Sequence, residues 1–267
     1  MEAAILLVGG KSKRFGSNKA LKVIRGKTFF EHVYDALKRV VDNIYVSVSI
    51  HTPPAIYALT TVKGGILVSD EPLPCGGPPR AIISVHSRYK HNKYLVIGVD
   101  YPNISSEVLE KMHTYSLKSR ISALTPVLYK GYPLIMLGIL SSRVIEVLKK
   151  ACYIKQSKTR LTDAYRAAYR AGYYGWTLFT DTPETFANVN TPDTLSKNMQ
   201  RDLLANGERI HIVNTYYSRY LDCIGDGNIK CAVSLLEKEY ELYKRKNLKL
   251  LARHVEQDIV WIRNEHL

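Results

Sequence analysis

Cysteine is scarce in this chain and carries no pattern. The four residues, Cys75, Cys152, Cys223 and Cys231, include no C-x-x-C pair and have no His or Cys neighbour at zinc-finger spacing. That argues against a zinc module or a disulfide scaffold and leaves buried or free thiols as the expectation. No apolar run approaches the roughly 18 residues that span a bilayer, so no membrane partner is expected. The run from Ala3 to Val8 is too short, and too soon followed by glycines, to read as a signal peptide, and the expectation is a cytoplasmic protein. Internal repeats and low-complexity tracts are missing, as are RNP sequences and long Lys/Arg blocks, which argues against nucleic acid as a partner.

What is abundant is positive charge: 38 Lys and Arg stand against 24 Asp and Glu, a formal net of +14. The excess is uneven, because residues 1–196 hold 26 cations against 14 anions while residues 197–267 hold 12 against 10. A basic surface suits nucleotides and phosphorylated metabolites, and equally a solvated face. With 46% apolar composition over 267 residues the chain can bury a full core.

Apolar, β-branched runs recur at Ala3–Val8, Ile44–Ser49, Ile66–Val68 and Tyr94–Val99, separated by segments of helical period. In the first of these segments Thr28 is placed to cap a helix whose apolar face is Phe29, Phe30, Val33, Tyr34, Leu37 and Val41. Alternation of this kind predicts a mostly parallel, open twisted sheet with helices on both faces, whose ligands bind at the carboxyl ends of the strands. "ISALTPVLYKGYPLIMLGIL", from residue 121, predicts an antiparallel insertion with a turn at Lys130-Gly131-Tyr132. Helices are expected around 142–152 and 160–171, and a further helix start at Thr191-Pro192-Asp193. From about residue 200 the period is wholly helical. Stripes at Val213, Tyr216, Tyr217, Tyr220 and Ile224, at Leu235, Leu236, Tyr240 and Tyr243, and at Leu248, Leu251, Val255, Ile259 and Ile262 predict a three-helix appendage. The expected division is therefore an α/β domain over 1–199 and a helical extension over 200–267, whose stripes need cover from the domain or from a second subunit in a homo-oligomer.

The loop after the first strand, "LVGGKSKRFG", holds Gly10-Lys11-Ser12 but is no P-loop, since the required earlier glycine falls on Ile5. It also fails G-x-G-x-x-G, because its glycines are Gly9, Gly10 and Gly16. Paired glycines after a strand nevertheless let backbone N–H groups approach phosphate oxygens, and Arg14 and Lys19 are cations suited to neutralise them. A plain glycine turn with solvated lysines explains the glycines equally well.

The longer string "LVGGKSKRFGSNKAL" resembles the signature of nucleotidyltransferases that join an NTP to a phosphorylated acceptor, and most closely the molybdenum cofactor guanylyltransferases. "SDEPLPCGGPP", "VIGVDYP" and "NVNTPDTL" resemble three further motifs of that family, in family order, so the resemblance covers roughly residues 1–200. It implies a Rossmann-like nucleotidyltransferase fold and transfer of GMP from GTP to the terminal phosphate of molybdopterin, with release of pyrophosphate and a need for Mg2+. Leu7, Val8, Gly9 and Gly10 would line the nucleotide, with Lys19 on its phosphates. Asp70 would be the acidic residue of the guanine nucleotide site, Gly77 the glycine of the Gly-Pro turn, and Asp100 the metal ligand. Asn188 and Asn190 match the Asn-x-Asn pair on the acceptor side. The chain departs from the family at Pro79-Arg80-Ala81, which is stiffer and carries an added positive charge, and at Ser49, where the family has Asn. For Asp100 a helix N-cap is the competing reading. CTP in place of GTP, another phosphorylated acceptor such as a cobinamide or sugar phosphate, and a non-catalytic nucleotide- or nucleic-acid-binding module are the alternatives in function.

Overall fold

Five apolar residues, Ala3–Leu7, form β1 at the centre of the sheet, every one of them buried. Successive side chains of a strand point to opposite faces, and β1 feeds two separate clusters: Ala3, Ile5 and Leu7 enter one, Ala4 and Leu6 the other. A run buried on both faces reads as continuous apolar sequence, the mark of a parallel sheet covered by helices. This is a computed structural model of the chain, and it describes residues 3–9, 18–117, 121–128, 132–167, 173–177, 210–213 and 216–266.

After β1 come a short 3-10 turn, Lys19–Leu21, and a hairpin of β2 (Val23–Ile24) and β3 (Lys27–Thr28). Helix α1, Phe29–Lys38, starts as expected at Thr28: the threonine side chain accepts from Glu31 N, and Glu31 Oε2 accepts from Thr28 N. This reciprocal box satisfies two donors that a helix start otherwise leaves unpaired. The apolar face of α1 lies buried against the sheet. β4 (Asn43–Val48), α2 (Pro54–Val62), β5 (Ile66–Ser69), α3 (Gly77–Arg88) and β6 (Lys93–Gly98) follow. The order β5-β4-β1-β6 is all parallel, and the direction of strand progression reverses between β1 and β6.

α4 (Ser106–Leu117), β7 (Ile121–Leu128), β8 (Tyr132–Pro133) and β9 (Leu137–Ser141) extend the sheet. The expected antiparallel insertion is present: β9 runs antiparallel to both β6 and β7, and β8 pairs with β7. Two helices follow, α5 (Ser142–Lys155) and α6 (Leu161–Arg166), then β10 (Tyr173–Thr177), which is parallel to β7. The helix start expected at Thr191 lies outside the described residues.

Two expectations need correction. The region from 200 is not wholly helical, because Ile210–Val213 forms β11, antiparallel to β10 at the sheet edge. Val213, counted in a helical stripe, ends that strand, and a four-residue apolar segment fits either period. The cysteines are not free thiols either, since Cys75 pairs with Cys152 and Cys223 with Cys231. Helix packing brings together Cys75 and Cys152 from 77 residues apart, which no local spacing can reveal.

The remaining helices are α7 (Tyr217–Gly225), α8 (Ile229–Arg245) and α9 (Lys249–His266). Their stripes are covered within the chain: Tyr217, Tyr220, Leu236, Leu251, Val255 and Ile262 join Leu148, Ala151 and Cys152 of α5 in one cluster. Inside this contact lies a set of buried charges. Arg166 donates to both carboxylate oxygens of Glu239 at 2.9 and 3.0 Å, to Asp258 at 2.6 Å and to Asp163 at 3.2 Å. Lys155 donates to Asp163 at 3.0 Å and Asp258 at 2.8 Å, and Arg160 reaches Asp258 from the rim at 3.2 Å. Three cations meet three carboxylates. Lys155 and Arg166 hold the Asp258 carboxyl far below the ordinary carboxylate range.

Removing one partner from such a set strands the others. Arg166→Met should cost about 3–5 kcal/mol, read as a fall in unfolding free energy in denaturant; a loss below about 1 kcal/mol would show that the remaining cations suffice. A separate test uses His254 of α9, whose Nδ1 lies 2.6 Å from Thr162 Oγ1 and whose pKa burial lowers from 6.5 to about 4. The unfolded chain binds this proton first as pH falls, so the contribution of His254 is full above 6.5 and is lost between 6.5 and about 4. Asp258 acts only below its ordinary 3.8. The fall in melting temperature between pH 6.5 and 4 should therefore be shallower in His254→Gln than in the parent chain.

Candidate active site

The parallel strands β1, β4, β5 and β6 all end at the same edge of the sheet, and the reversal between β1 and β6 opens a crevice there. Leu7 and Val8 are buried at the base of that edge, and Gly9 follows, exposed. Val99 N donates to Leu7 O at 3.2 Å, which locks the start of the Asp100 loop to the end of β1. A Cβ built on Gly9 would stand 4.0 Å from Ser49 Oγ, so the ends of β1 and β4 are neighbours. Ser49 itself turns inward to its own loop, where its N donates to Thr52 Oγ1 and its Oγ accepts from His51 N.

Lys19 and Asp100, 81 residues apart, meet across the crevice: Lys19 Nζ donates to Asp100 Oδ1 at 2.9 Å. Their side chains are 12% and 22% exposed, so the pair is shielded yet reachable. Asn18 fixes Lys19 by capping the 3-10 turn, its Oδ1 accepting from Ala20 N at 3.0 Å. On the Asp100 side, Arg25 of the β2–β3 turn donates to Asn103, tying the hairpin to the loop that follows β6.

Asp70 stands at the end of β5. Its N donates to Val48 O at 3.2 Å, and its Oδ1 accepts from Ser47 Oγ at 3.3 Å. Burial pushes its carboxyl pKa up, while the Ser47 hydroxyl and the Arg80 charge oppose the rise. Gly77 opens α3 with φ of +60°, a region costly for any residue with a Cβ, and Pro78 and Pro79 follow in the first turn. Arg80, the departure expected to add charge, is spent locally: its Nε donates to Cys75 O at 2.7 Å and its Nη2 to Leu73 O at 2.8 Å.

The structure thus gathers Leu7, Val8, Gly9, Lys19, Asp70, Gly77 and Asp100 at the strand ends. Gly10, Arg14, Asn188 and Asn190 lie outside the described residues. The supporting side chains Asn18 and Ser47 were not singled out in the sequence. Asn18, directly before a short helical turn, carries a legible cap signal, whereas Ser47 sits inside an apolar strand and carries none.

The described charged side chains placed at this edge include the Lys19 cation and the carboxylates of Asp70 and Asp100. Asp100 already faces a cation, the Lys19 ammonium, and offers a hard oxygen donor. Among the described residues no three His, Cys, Asp or Glu cluster as a metal cage. A single carboxylate fits Mg2+, which is held by one or two carboxylates with substrate phosphates and water. A family model for the MobA-like NTP transferase domain matches residues 4–169. The chain belongs to this family. Relatives include the probable molybdenum cofactor guanylyltransferases of Geobacillus sp. (strain WCH70), 27% identical over 72% of this chain and 94% of theirs, and of Pyrococcus horikoshii, 28% identical over 72% and 96%. Among solved structures, molybdopterin-guanine dinucleotide biosynthesis protein A from Archaeoglobus fulgidus superposes with a TM-score of 0.56 at 20% identity, covering 73% of this chain and 95% of that one. At that identity the structure speaks for the fold. The MobA-like match ends before β10, so α7, α8 and α9 lie beyond it.

The expectation that Lys19 meets nucleotide phosphate has a direct test in the loss of its ammonium. Lys19→Ala should lower turnover on the order of 10²-fold, with folding unaltered. A near-normal rate at saturating nucleotide would mean that another cation, Arg14 first, holds the phosphates.

Proposed function

We propose that the protein transfers GMP from GTP to the terminal phosphate of molybdopterin, or of its molybdenum-loaded form, and releases pyrophosphate. The observation that carries the reading is the Lys19–Asp100 pair at the strand-order reversal of a MobA-like sheet, one cation and one carboxylate held 2.9 Å apart where this reading puts the triphosphate. An acceptor phosphate oxygen forms a bond to the α-phosphorus as the bond to pyrophosphate breaks. The acceptor is already anionic at neutral pH, so positioning and charge stabilisation matter more than acid–base catalysis.

In this reading Leu7, Val8, Gly9 and Gly10 present backbone to the nucleotide, and Gly77 opens the turn on its far side. Asp70, its carboxyl raised by burial, serves the guanine nucleotide as acceptor of a hydrogen bond or as donor of one. Lys19, with Arg14, neutralises charge that builds on the departing pyrophosphate. Asp100 would hold Mg2+, which when bound supplies a positive charge shared between phosphate oxygens. Asn188 and Asn190 serve the acceptor. The guanylyltransferase name of the relatives supports GTP over CTP, and their molybdenum cofactor supports a phosphorylated pterin as partner. The nucleotide donor supports a cytoplasmic location, and among the described residues no helix is long and apolar enough to cross a membrane. Residues 1–199 carry the transfer and 200–267 buttress it, the match to the family ending at residue 169. The stripes that suggested a homo-oligomer are covered within the chain, so the reading works with a single copy.

Pyrophosphate release scored over GTP and CTP and over pterin, cobinamide and sugar phosphates tests the assignment, which predicts GTP with molybdopterin. Asp100→Asn keeps the shape but removes the charge, and since α4 begins only at Ser106 no helix cap is disturbed. Its release should be abolished at ordinary Mg2+ and partly recovered at high Mg2+ or Mn2+, with little change in melting temperature. Full activity with an unaltered metal requirement would remove Asp100 from the mechanism.

A further inference from the structure

The turn that opens α3 consists of Gly76 and Gly77, two residues without side chains, so whatever fixes it must act through its flanks. On the far flank Arg80 folds back to the carbonyls of Cys75 and Leu73. On the near flank Cys75 is covalently bonded to Cys152 of α5, and its N also donates to Cys152 Sγ at 3.2 Å. Both cysteines are fully buried. Cys152 has a firm base: Lys155, one turn on, is buried between Asp163 of α6 and Asp258 of α9. A continuous path therefore runs from α9 through α5 and the sulfur bridge to the residue before Gly76.

We propose that the Cys75–Cys152 disulfide positions the Gly76-Gly77 turn for the nucleotide, so that the state of this bond sets nucleotide affinity while the chemical step proceeds unchanged. This rests on the nucleotidyltransferase reading for the identity of the ligand, but not for the effect on the turn. Glycine loses more freedom on ordering than any other residue, so a Gly-Gly turn released from one anchor has to be reordered by its ligand. Lys19 and Asp100 belong to other strand ends and keep their places, which is why KM changes and kcat does not. Reduction by a dithiol breaks the Cys75–Cys152 bond, forms two thiols and leaves the reductant as its own cyclic disulfide. Complete burial makes this bridge slower to react than Cys223–Cys231, both of whose residues are partly exposed.

The test compares the oxidised full chain, Cys75→Ala/Cys152→Ala, the parent chain reduced by dithiothreitol with thiols counted by alkylation and mass, and Cys223→Ala/Cys231→Ala as control. Breaking the 75–152 bridge should raise both KM and the directly titrated dissociation constant for GTP about tenfold, the equivalent of reordering about one backbone residue. It should leave kcat within about twofold and speed amide exchange at residues 76 and 77, while the control matches the parent. Reduction of the folded parent gives the answer should the double variant fail to fold. Equal GTP affinity and equal exchange in the reduced and oxidised chains would overturn the proposal, as would four free thiols in the purified protein. If the oxidised chain binds no GTP, the function reading fails, and exchange at the turn alone decides: faster on reduction supports the strut, unchanged refutes it.

Discussion

The contact on which the two halves of the molecule depend is the meeting of three cations with three carboxylates between α5, α6, α8 and α9. Apolar helix faces tolerate substitution at modest cost when volume and pattern are kept. Arg166 does not. Its guanidinium grips both oxygens of Glu239 and, with its remaining nitrogen, Asp258 and Asp163, a geometry that only one relative placement of the helices satisfies. The ring of Tyr217 lies 4.4 Å from its guanidinium carbon. Buried pairs are weak evidence of net stability, but removing one partner is expensive because it leaves the others buried and uncompensated.

The carboxyl edge of the parallel strands obeys a different constraint, set by topology. Because the sheet reverses its order between β1 and β6, the loops after these strands diverge to opposite faces and leave a gap with backbone groups on both sides. Lys19 and Asp100 fill that gap with one charge of each sign. Asp70 lies two strands from β1, half-buried and short of a strong counter-charge, so its environment differs from that of Asp100 although both close a parallel strand. Two carboxylates at equivalent ends of successive βα units thus meet different partners, an ammonium at 2.9 Å for Asp100 and a hydroxyl at 3.3 Å for Asp70.

Much of this was readable from residue order, and the reasons are local. β-branched runs announced β1, β4, β5 and β6, and Thr28 announced the start of α1. The glycine and aspartate motifs fell on strand ends because any chain that alternates strand and helix in parallel brings those ends together. What escaped was long-range. Lys155, Asp163, Arg166, Glu239 and Asp258 look like ordinary solvated charges in a linear string, and only packing across 73 to 103 residues buries them. The Cys75–Cys152 pair was hidden for the same reason. β11 escaped because a four-residue segment is too short to separate the two periods, and the positive charge that Arg80 adds to the turn is held by the carbonyls of its own loop.

The charge cluster also imposes an order in time. Arg166 and its partner Asp258 lie 92 positions apart, so at synthesis rates of about 5–20 residues per second the guanidinium waits roughly 5–20 s for that carboxylate to be made. Until then α6 has no Glu239 and no Asp258, and burying Arg166 beside Asp163 alone would leave it undercompensated. The strands from β1 to β6 can pair in that interval, whereas the face of α5 that receives α9 has to stay hydrated. During translation the carboxyl ends of β1, β4, β5 and β6 can therefore come together early, and the contact of α6 with α8 and α9 closes late.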